Sequence, residues 1–365
     1  MKIGIDAKWF FSGPPSGKVV IKQLLKELLS DNYRTFEFYV FLKKKEKDLK
    51  FPYQNKNIKL VYVTTHNNLI TNVFILPRHF KKFELDVVLL QNFGSFSKIN
   101  SVLYIHDLLY LDYPQFYSYK ERLYLSFLKP LAKRANKIVT ISEAEKRRII
   151  KHKLGNNNVQ FVYHGVDSKF KPLEGHNKLN IQAFKEKYNL PNEFILYLGR
   201  LNIRKNIANL ISAMQFIDTP LVIVGEKDHK NENLSSTIDV LGLNDKIFFT
   251  GYIEEFELPL AYALATLFCF PSYAEGFGLP PLEAMASGTP VVVSDRTSLP
   301  EVCEDAALYV NPDDPSDIAK KINTLLASKE IINTFAAKGV VQSKKFSWGK
   351  SAENLMKIIK ATNDN

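Results

Sequence analysis

"TLFCFPSYAEGFGLPPLEAMASGTPVVVSD", residues 266–295, sets two short apolar runs on either side of a stretch of helical length. Runs as apolar as "TLFCF" and "PVVVS" suit strands buried on both faces. Between them, Gly276 and Gly278 let the backbone come close to a ligand, and Pro280 and Pro281 preset a first helical turn. A strand, a loop, a helix and a second strand make a parallel unit. Into this greasy unit the chain sets two carboxylates, Glu275 in the loop and Glu283 early in the helix. Ionised carboxylates accept hydrogen bonds from vicinal hydroxyls, as found on ribose and on hexoses.

The same alternation extends through the chain. "KIGIDA", "FEFYVFL", "IKLVYV", "LDVVLLQ", "SVLYIHD", "KIVTIS" and "VQFVYHG" read as strands in the first half. The series restarts with "FILYLGR", "PLVIVGE", "KIFFTGY", "TLFCFPS" and "PVVVSD". Segments of helical period, such as "VVIKQLLKELL" and "NIANLISAMQFI", separate them. This is the pattern of α/β domains with doubly wound parallel sheets. A chain of 365 residues exceeds what one core usually holds, which points to two domains. "FKPLEGHNKLN" is the expected linker, with a boundary near residues 172–190. The predicted division is 1–175, 190–345, and a last helix over 346–365 that crosses back to the first domain. Open sheets bind ligands beyond the carboxyl ends of their strands, so the chemistry is sought there.

One such place is "YLGRLNIRKN", where Arg200, Lys205 and Asn206 follow a strand and precede a helix starting near Ile207. Two cations beside a helix start make an anion site, and a diphosphate is the natural guest. In the first half, "SVLYIHDLLYLDYPQFY" puts His106 and Asp107 just past a strand. A single histidine in such a place suits a structural role as well as a chemical one.

The motif set resembles the retaining glycosyltransferases of family four. "EGFGLPPLEAMASGTPVVVSD" is similar to that family's E-x7-E signature, and "YLGRLNIRKN" to its Arg-and-Lys diphosphate motif. "FTGYIEEFELPLAYALATLFCFPS", "SLPEVCEDAALYVNPDDP", "FVYHGVDSKFKP" and "KIVTISEAEKRRI" extend the likeness over most of the chain. The resemblance implies the GT-B fold, two Rossmann-like domains facing across a cleft. The first would bind the acceptor and the second the nucleotide sugar. It implies that Arg200 and Lys205 neutralise the leaving diphosphate, that Glu275 holds hydroxyls of the donor sugar, and that Glu283 binds the ribose diol. The backbone of Gly276, Phe277, Gly278 and Leu279 would face sugar and phosphates, and Tyr252 and Ile253 would wall the nucleobase. His106 would face the donor sugar, with Asp107 beside it. Gly17, in a loop "SGPPSGK" that replaces the family's commoner Gly-Gly with prolines, would let the first domain approach the phosphates. "HDL…YP" resembles a subgroup that makes mannose- or rhamnose-containing bacterial polysaccharides.

The expected activity is therefore transfer of a hexose, with retention and without metal, to a glycan or lipid-linked glycan in surface polysaccharide synthesis. GDP-mannose is the expected donor. No cofactor and no metal are expected, since the one acid cluster, "NPDDPSD", reads as a turn and a helix cap. A nucleotide-sugar epimerase of the same two-domain plan is the nearest rival. A dinucleotide oxidoreductase lacks its G-x-G-x-x-G after the first strand. A non-catalytic basic binding protein is the third reading, though no nucleic-acid partner is expected.

Charge is uneven, with +16 through Lys171 and −5 beyond it. Basic runs such as "LKKKEKDLK" and "EKRRIIKHK" lie close to aromatic and aliphatic residues, which suits an anionic lipid surface. A solvated face that only aids solubility is the bland alternative. Only two cysteines, Cys269 and Cys303, occur, and the first residues "MKIGIDAKWFF" lack the apolar core of a signal peptide. The expectation is a cytoplasmic protein, with peripheral contact at the inner face of the membrane as its extension.

Overall fold

The computed structural model describes residues 1–155, 158–225 and 234–364. Glu226, at the end of the expected "PLVIVGE" strand, lies outside them. Two compact units divide the chain, one made of Met1–Gly165 with Ser347–Asn365, the other of Val166–Phe346.

The first unit is built on seven strands: β1 (Lys2–Asp6), β2 (Glu37–Lys43), β3 (Ile58–Val63), β4 (Val87–Gln91), β5 (Asn100–Tyr104), β6 (Lys137–Thr140) and β7 (Val159–Phe161). All pair in parallel, in the order β3-β2-β1-β4-β5-β6-β7. Side chains alternate across the sheet. Leu103 and Ile105 enter a buried cluster with Phe41, Leu76 and Phe80. On the opposite face, the helices Pro15–Leu28 and Trp348–Asn363 pack on each other, and the latter covers β4, β5 and β6. Ser347 starts that last helix by accepting from the Lys350 N–H at 3.2 Å. Its buried stripe, Ala352, Leu355, Met356 and Ile359, has helical spacing. Each large aliphatic fully buried there contributes roughly 1.5–3 kcal/mol.

The second unit holds β8 (Ile195–Leu198), β9 (Leu221–Val224), β10 (Ile247–Gly251), β11 (Leu267–Phe270), β12 (Val291–Ser294) and β13 (Ala307–Val310). They too are parallel, in the order β10-β9-β8-β11-β12-β13. β13 is absent from the sequence reading. It is short, begins on alanine, and is bounded by Glu304, Asp305 and Asn311, so it has little apolar signature of its own.

The division between units lies earlier than the stretch 172–190 expected from composition. Residues from Val166 onward are fastened to the second unit. The Val166 N–H donates to the Phe346 carbonyl at 3.3 Å. Phe170 packs on Tyr262 with ring centroids 5.7 Å apart, and Lys178–Lys187 is a helix. The Pro/Gly/Asn-rich stretch is folded structure, not a tether. In the first unit, a Cβ on Gly165 would collide with the backbone nitrogen of Trp348, so the two crossings of the chain meet at a glycine.

Both sheets reverse their order of growth beside a central strand, between β1 and β4 in one and between β8 and β11 in the other. These switch points are where open α/β sheets take ligands. Among the described residues, no helix is long and apolar enough to cross a membrane.

Candidate active site

The switch point of the second unit brings together the loops that follow β8 and β11. After β8, Gly225 and Gly199 come so close that a Cβ on Gly225 would strike the Gly199 carbonyl. Arg200 follows at the exposed surface. A short 3-10 turn, Ile203–Lys205, is capped by Asn202, whose side-chain oxygen accepts from the Lys205 N–H at 3.2 Å. Asn206 then adopts a left-handed conformation, φ 57°, and starts the helix Ile207–Ala213. Asparagine tolerates that conformation better than most residues. Its buried amide also fastens the two loops, donating to the Pro271 carbonyl at 2.9 Å and to Pro312 at 2.6 Å. The Tyr273 N–H adds a bond to the Arg204 carbonyl at 2.9 Å.

This stitching puts the cations on the first glutamate. Lys205 Nζ lies 2.7 Å from Glu275 Oε1, and Arg204 Nη1 lies 3.3 Å from the same oxygen. Arg204 also donates to the Ala274 carbonyl, and Lys205 sits over the Phe270 ring at 4.6 Å. Burial alone would push the Glu275 carboxyl up, but Lys205 and Arg204 overcome it and hold the group below the usual glutamate range. Glu275 is an ionised carboxylate in a cationic pocket.

The loop that carries it is pinned from a third side. Thr297 Oγ1 accepts from the Glu275 N–H at 2.9 Å. Ser298, fully buried, donates to the carbonyls of Glu275 at 3.0 Å and Phe277 at 2.7 Å. Gly278 has φ 117°, and a Cβ there would strike Leu299, so only glycine fits. The helix Leu279–Ala286 follows. Its next two residues are Pro280 and Pro281, which carry no N–H. Within that first turn, donation to an anion therefore falls to Leu279 and to the preceding Gly278.

Glu283, on that helix, stands in a different environment. Its Oε2 accepts from the buried Tyr262 hydroxyl at 2.9 Å. Burial pushes its carboxyl up to about 7, with Tyr262 and Lys169 opposing and Glu255 and Asp167 adding to the rise. The two glutamates of one motif thus differ in charge state near neutrality. Beyond β10, Tyr252 is exposed, while Ile253 is turned into the core.

The remaining candidates belong to the first unit. His106 follows β5, its N–H donating to Asn92 Oδ1 at 3.1 Å and its Nε2 lying 2.9 Å from Gln91 Oε1. The rings of Trp9 and Tyr104 lie 5.1 Å from its own. Burial pushes the imidazole down to about 3, so it is neutral at ordinary pH. Asp107 is exposed, and its charge reaches the buried Glu145, which accepts the Leu108 N–H at 2.9 Å. Gly17 is not in a loop. Pro15 begins the helix Pro15–Leu28, so Gly17 sits in its first turn, where a Cβ would strike the Trp9 ring. Its role in the fold is to admit that indole. In the second unit, Asp314 of "NPDDPSD" caps the helix Pro315–Leu326 by accepting the Ser316 N–H at 2.9 Å.

Sequence reasoning missed Arg204, Thr297, Ser298, Gln91 and Trp9. Arg204 had a signal, an Arg-Lys dipeptide after a strand. The others act through contacts distant in sequence.

Two family models match the chain, one described as "Glycosyltransferase Family 4" over residues 18–170 and one as "Glycosyl transferases group 1" over residues 180–340. The chain belongs to glycosyltransferase family four. This family-four chain is 33% identical over 268 residues to the serotype-specific mannosyltransferase WbdA of Escherichia coli, a match covering 69% of this chain and 32% of WbdA. It therefore spans about a third of that relative's length. It is 31% identical over 241 residues to the O-antigen chain mannosyltransferase RfbU of Salmonella typhimurium, covering 65% of this chain and 64% of RfbU. Among solved structures, the Anabaena protein HepE in complex with UDP and glucose superposes with a TM-score of 0.76 at 20% identity, over 99% of this chain and 100% of that one. With its two parallel-sheet units, the family-four chain has the GT-B fold.

Proposed function

We propose that the chain is a retaining, metal-independent hexosyltransferase that takes its sugar from a nucleotide sugar and passes it to a glycan or lipid-linked glycan in bacterial surface polysaccharide synthesis. The observation that carries this reading is the convergence of Lys205, Arg204 and Glu275 at the β8/β11 switch point. As the bond to a diphosphate breaks, negative charge grows on the leaving group and positive charge on the anomeric carbon. Arg200 and Lys205 stabilise the first by fixed electrostatics. Glu275, kept ionised, accepts from hydroxyls of the sugar, and Glu283 accepts from the ribose diol. Tyr252 walls the nucleobase with its side chain and Ile253, whose side chain is buried, with its backbone, and His106 meets the donor sugar with Asp107 beside it. Retention follows the E-x7-E likeness. The mannosyltransferase names of WbdA and RfbU favour mannose from GDP-mannose, whereas the ligands of HepE are UDP and glucose. The test is release of nucleoside diphosphate from a panel of nucleotide sugars with candidate acceptors. Turnover of GDP-mannose above the rest supports the reading. Turnover of donor alone, with its sugar isomerised, moves the chain to the epimerase reading.

The same proposal extends to a cytoplasmic location and to peripheral contact with anionic membrane through the first unit. In the run "LKKKEKDLK", Lys44 and Lys45 are exposed and available for this contact, whereas Lys43 Nζ is engaged with the hydroxyl and carbonyl of Ser12. A better face is the helix Tyr119–Ser126 and the residue after it. Tyr119, Leu123 and Phe127 are exposed at successive helical turns, beside Lys120 and Arg122. An apolar stripe with basic neighbours lies well at a headgroup boundary.

A further inference from the structure

At the switch point of the first unit, a chain of buried polar groups ends on His106. Asp6, at the end of β1, and Lys8 are each 2% exposed, and Lys8 Nζ lies 2.5 Å from Asp6 Oδ1. Lys8 also donates to Asn72 Oδ1 at 2.7 Å, and Asn72 donates to the Phe93 carbonyl at 2.7 Å. The Gln91 N–H reaches Asp6 Oδ2 at 3.4 Å. The end of β4 is thus held from both sides. In an ordinary strand, successive side chains point to opposite faces. Here Asn92 is left-handed, φ 57°, and that break in alternation lets two neighbouring side chains meet one residue. Asn92 takes the backbone N–H of His106, and Gln91 takes its ring.

Gln91 is an expensive choice for that place. It is 2% exposed, and among the described residues its Nε2 finds no hydrogen-bond partner. A buried donor left unmatched costs about 1–3 kcal/mol. Tyr104, its register partner on β5, is buried too, and its hydroxyl is likewise unmatched among the described residues. An apolar side chain of the same shape would spare the fold that cost, so what the glutamine supplies is its oxygen.

We propose that Gln91 is a positioning residue for His106: its Oε1 accepts Nε2–H and holds the imidazole as the neutral tautomer with the lone pair on Nδ1. A neutral ring with a fixed acceptor nitrogen can take a hydrogen bond from a sugar hydroxyl. That last step rests on the donor-sugar role of His106 proposed above, whereas the pairing itself does not. Among the described residues, the titratable groups that reach the ring are Tyr104 at the end of β5 and His164 beyond β7, whose charge would oppose protonation, while Asp107, the next residue, is exposed.

The test is nitrogen NMR of the full chain labelled in histidine, with the His106 ring assigned from His106→Gln. The expected wild-type ring is neutral, with its proton on Nε2, from about pH 5 to 8. Gln91→Met keeps the shape without the acceptor, and the tautomers should mix. Gln91→Glu keeps the acceptor and adds charge, and the ring should begin to titrate in that range. A wild-type proton on Nδ1, or an unchanged spectrum in both variants, overturns the proposal. Turnover separates it from the functional reading. Gln91→Met should lower kcat roughly tenfold or more with little change in KM for the donor. Mixed tautomers with wild-type kcat leave the pairing standing and remove His106 from the reaction.

Discussion

Lys205 Nζ and Glu275 Oε1 lie 2.7 Å apart, so the cation assigned to the diphosphate is already matched by the carboxylate assigned to the sugar. A diphosphate that draws on Lys205 competes with Glu275 for it. Arg204, at 3.3 Å from the same oxygen, is the partner that keeps the carboxylate ionised meanwhile. This exchange shapes the predictions for both residues.

Arg200→Ala and Lys205→Ala should each lower kcat by roughly 10²-fold or more, since their charge acts as the leaving group departs. Lys205→Ala should also lower Tm, at a cost below the ~3–5 kcal/mol of a fully orphaned buried charge because Arg204 still faces Glu275, while exposed Arg200→Ala should not. Steady-state kinetics and thermal melts read both. Near-wild-type kcat in the two variants would remove the diphosphate assignment.

The two glutamates should fail differently. Glu283→Gln should weaken binding of free nucleoside diphosphate, because its proposed partner is the ribose. Glu275→Gln should spare that binding or tighten it, because Lys205 is released, yet transfer should be lost. Calorimetry with the diphosphate alone distinguishes them, and equal loss of affinity in both contradicts the assignment.

Glu283 also sets a pH dependence. Its carboxyl is pushed up to about 7 by burial, and in the proposed role only the ionised form would accept from both ribose hydroxyls. Below that pH, binding must first remove a proton, so affinity should fall by up to about tenfold per pH unit. Nucleotide affinity should therefore rise as pH increases through neutrality and level off above it. In Glu283→Gln the part of the slope owed to this group should vanish. A slope identical in wild type and variant counts against the ribose role.

Much of this is legible in the amino-acid sequence. Runs such as "VVLLQ" and "LFCF" are apolar, short and followed by Gly, Asn or Pro, which marks strands and the ends that hold ligands. The Arg-Lys and two-glutamate motifs were legible one by one. Their pairing was not, because Lys205 and Glu275 are joined by strand order: β8 lies beside β11, with β9 and β10 displaced outward. Gln91 was silent for a similar reason. Nothing in "VVLLQN" tells that a left-handed Asn92 will turn two side chains onto a histidine from the next strand. Gly17 misled because a Pro-Pro-Ser-Gly run suits a turn, whereas here the second proline opens a helix.

Activity should survive EDTA. In the proposed mechanism Arg200 and Lys205 supply the positive charge that a divalent ion would bring to a diphosphate. Turnover measured before and after chelation decides this, and loss restored by Mg²⁺ or Mn²⁺ would show that the charge is supplied otherwise.

Vesicles of anionic lipid should bind the chain at low salt and release it as salt rises, because each basic residue near such a surface adds about 1 kcal/mol that ions screen. Lys120→Gln with Arg122→Gln should weaken this binding, and so should Leu123→Ser. Cosedimentation reads it. Equal binding at low and high salt removes the membrane part and leaves the transferase part untouched.

The first unit is written in two pieces, with the whole of the second between them. During synthesis, β4, β5 and β6 are made long before the helix Trp348–Asn363 that covers them. The first unit therefore cannot finish folding in the order of its translation, although domains usually fold from the N-terminus onward. Its apolar face waits until the whole second unit and the helix after it have been made. A stop codon just before Trp348 would leave the second unit's loops intact and yet expose the face that Leu355 and Ile359 bury. A sheet begun at β1 is closed over only by a helix encoded more than three hundred residues later.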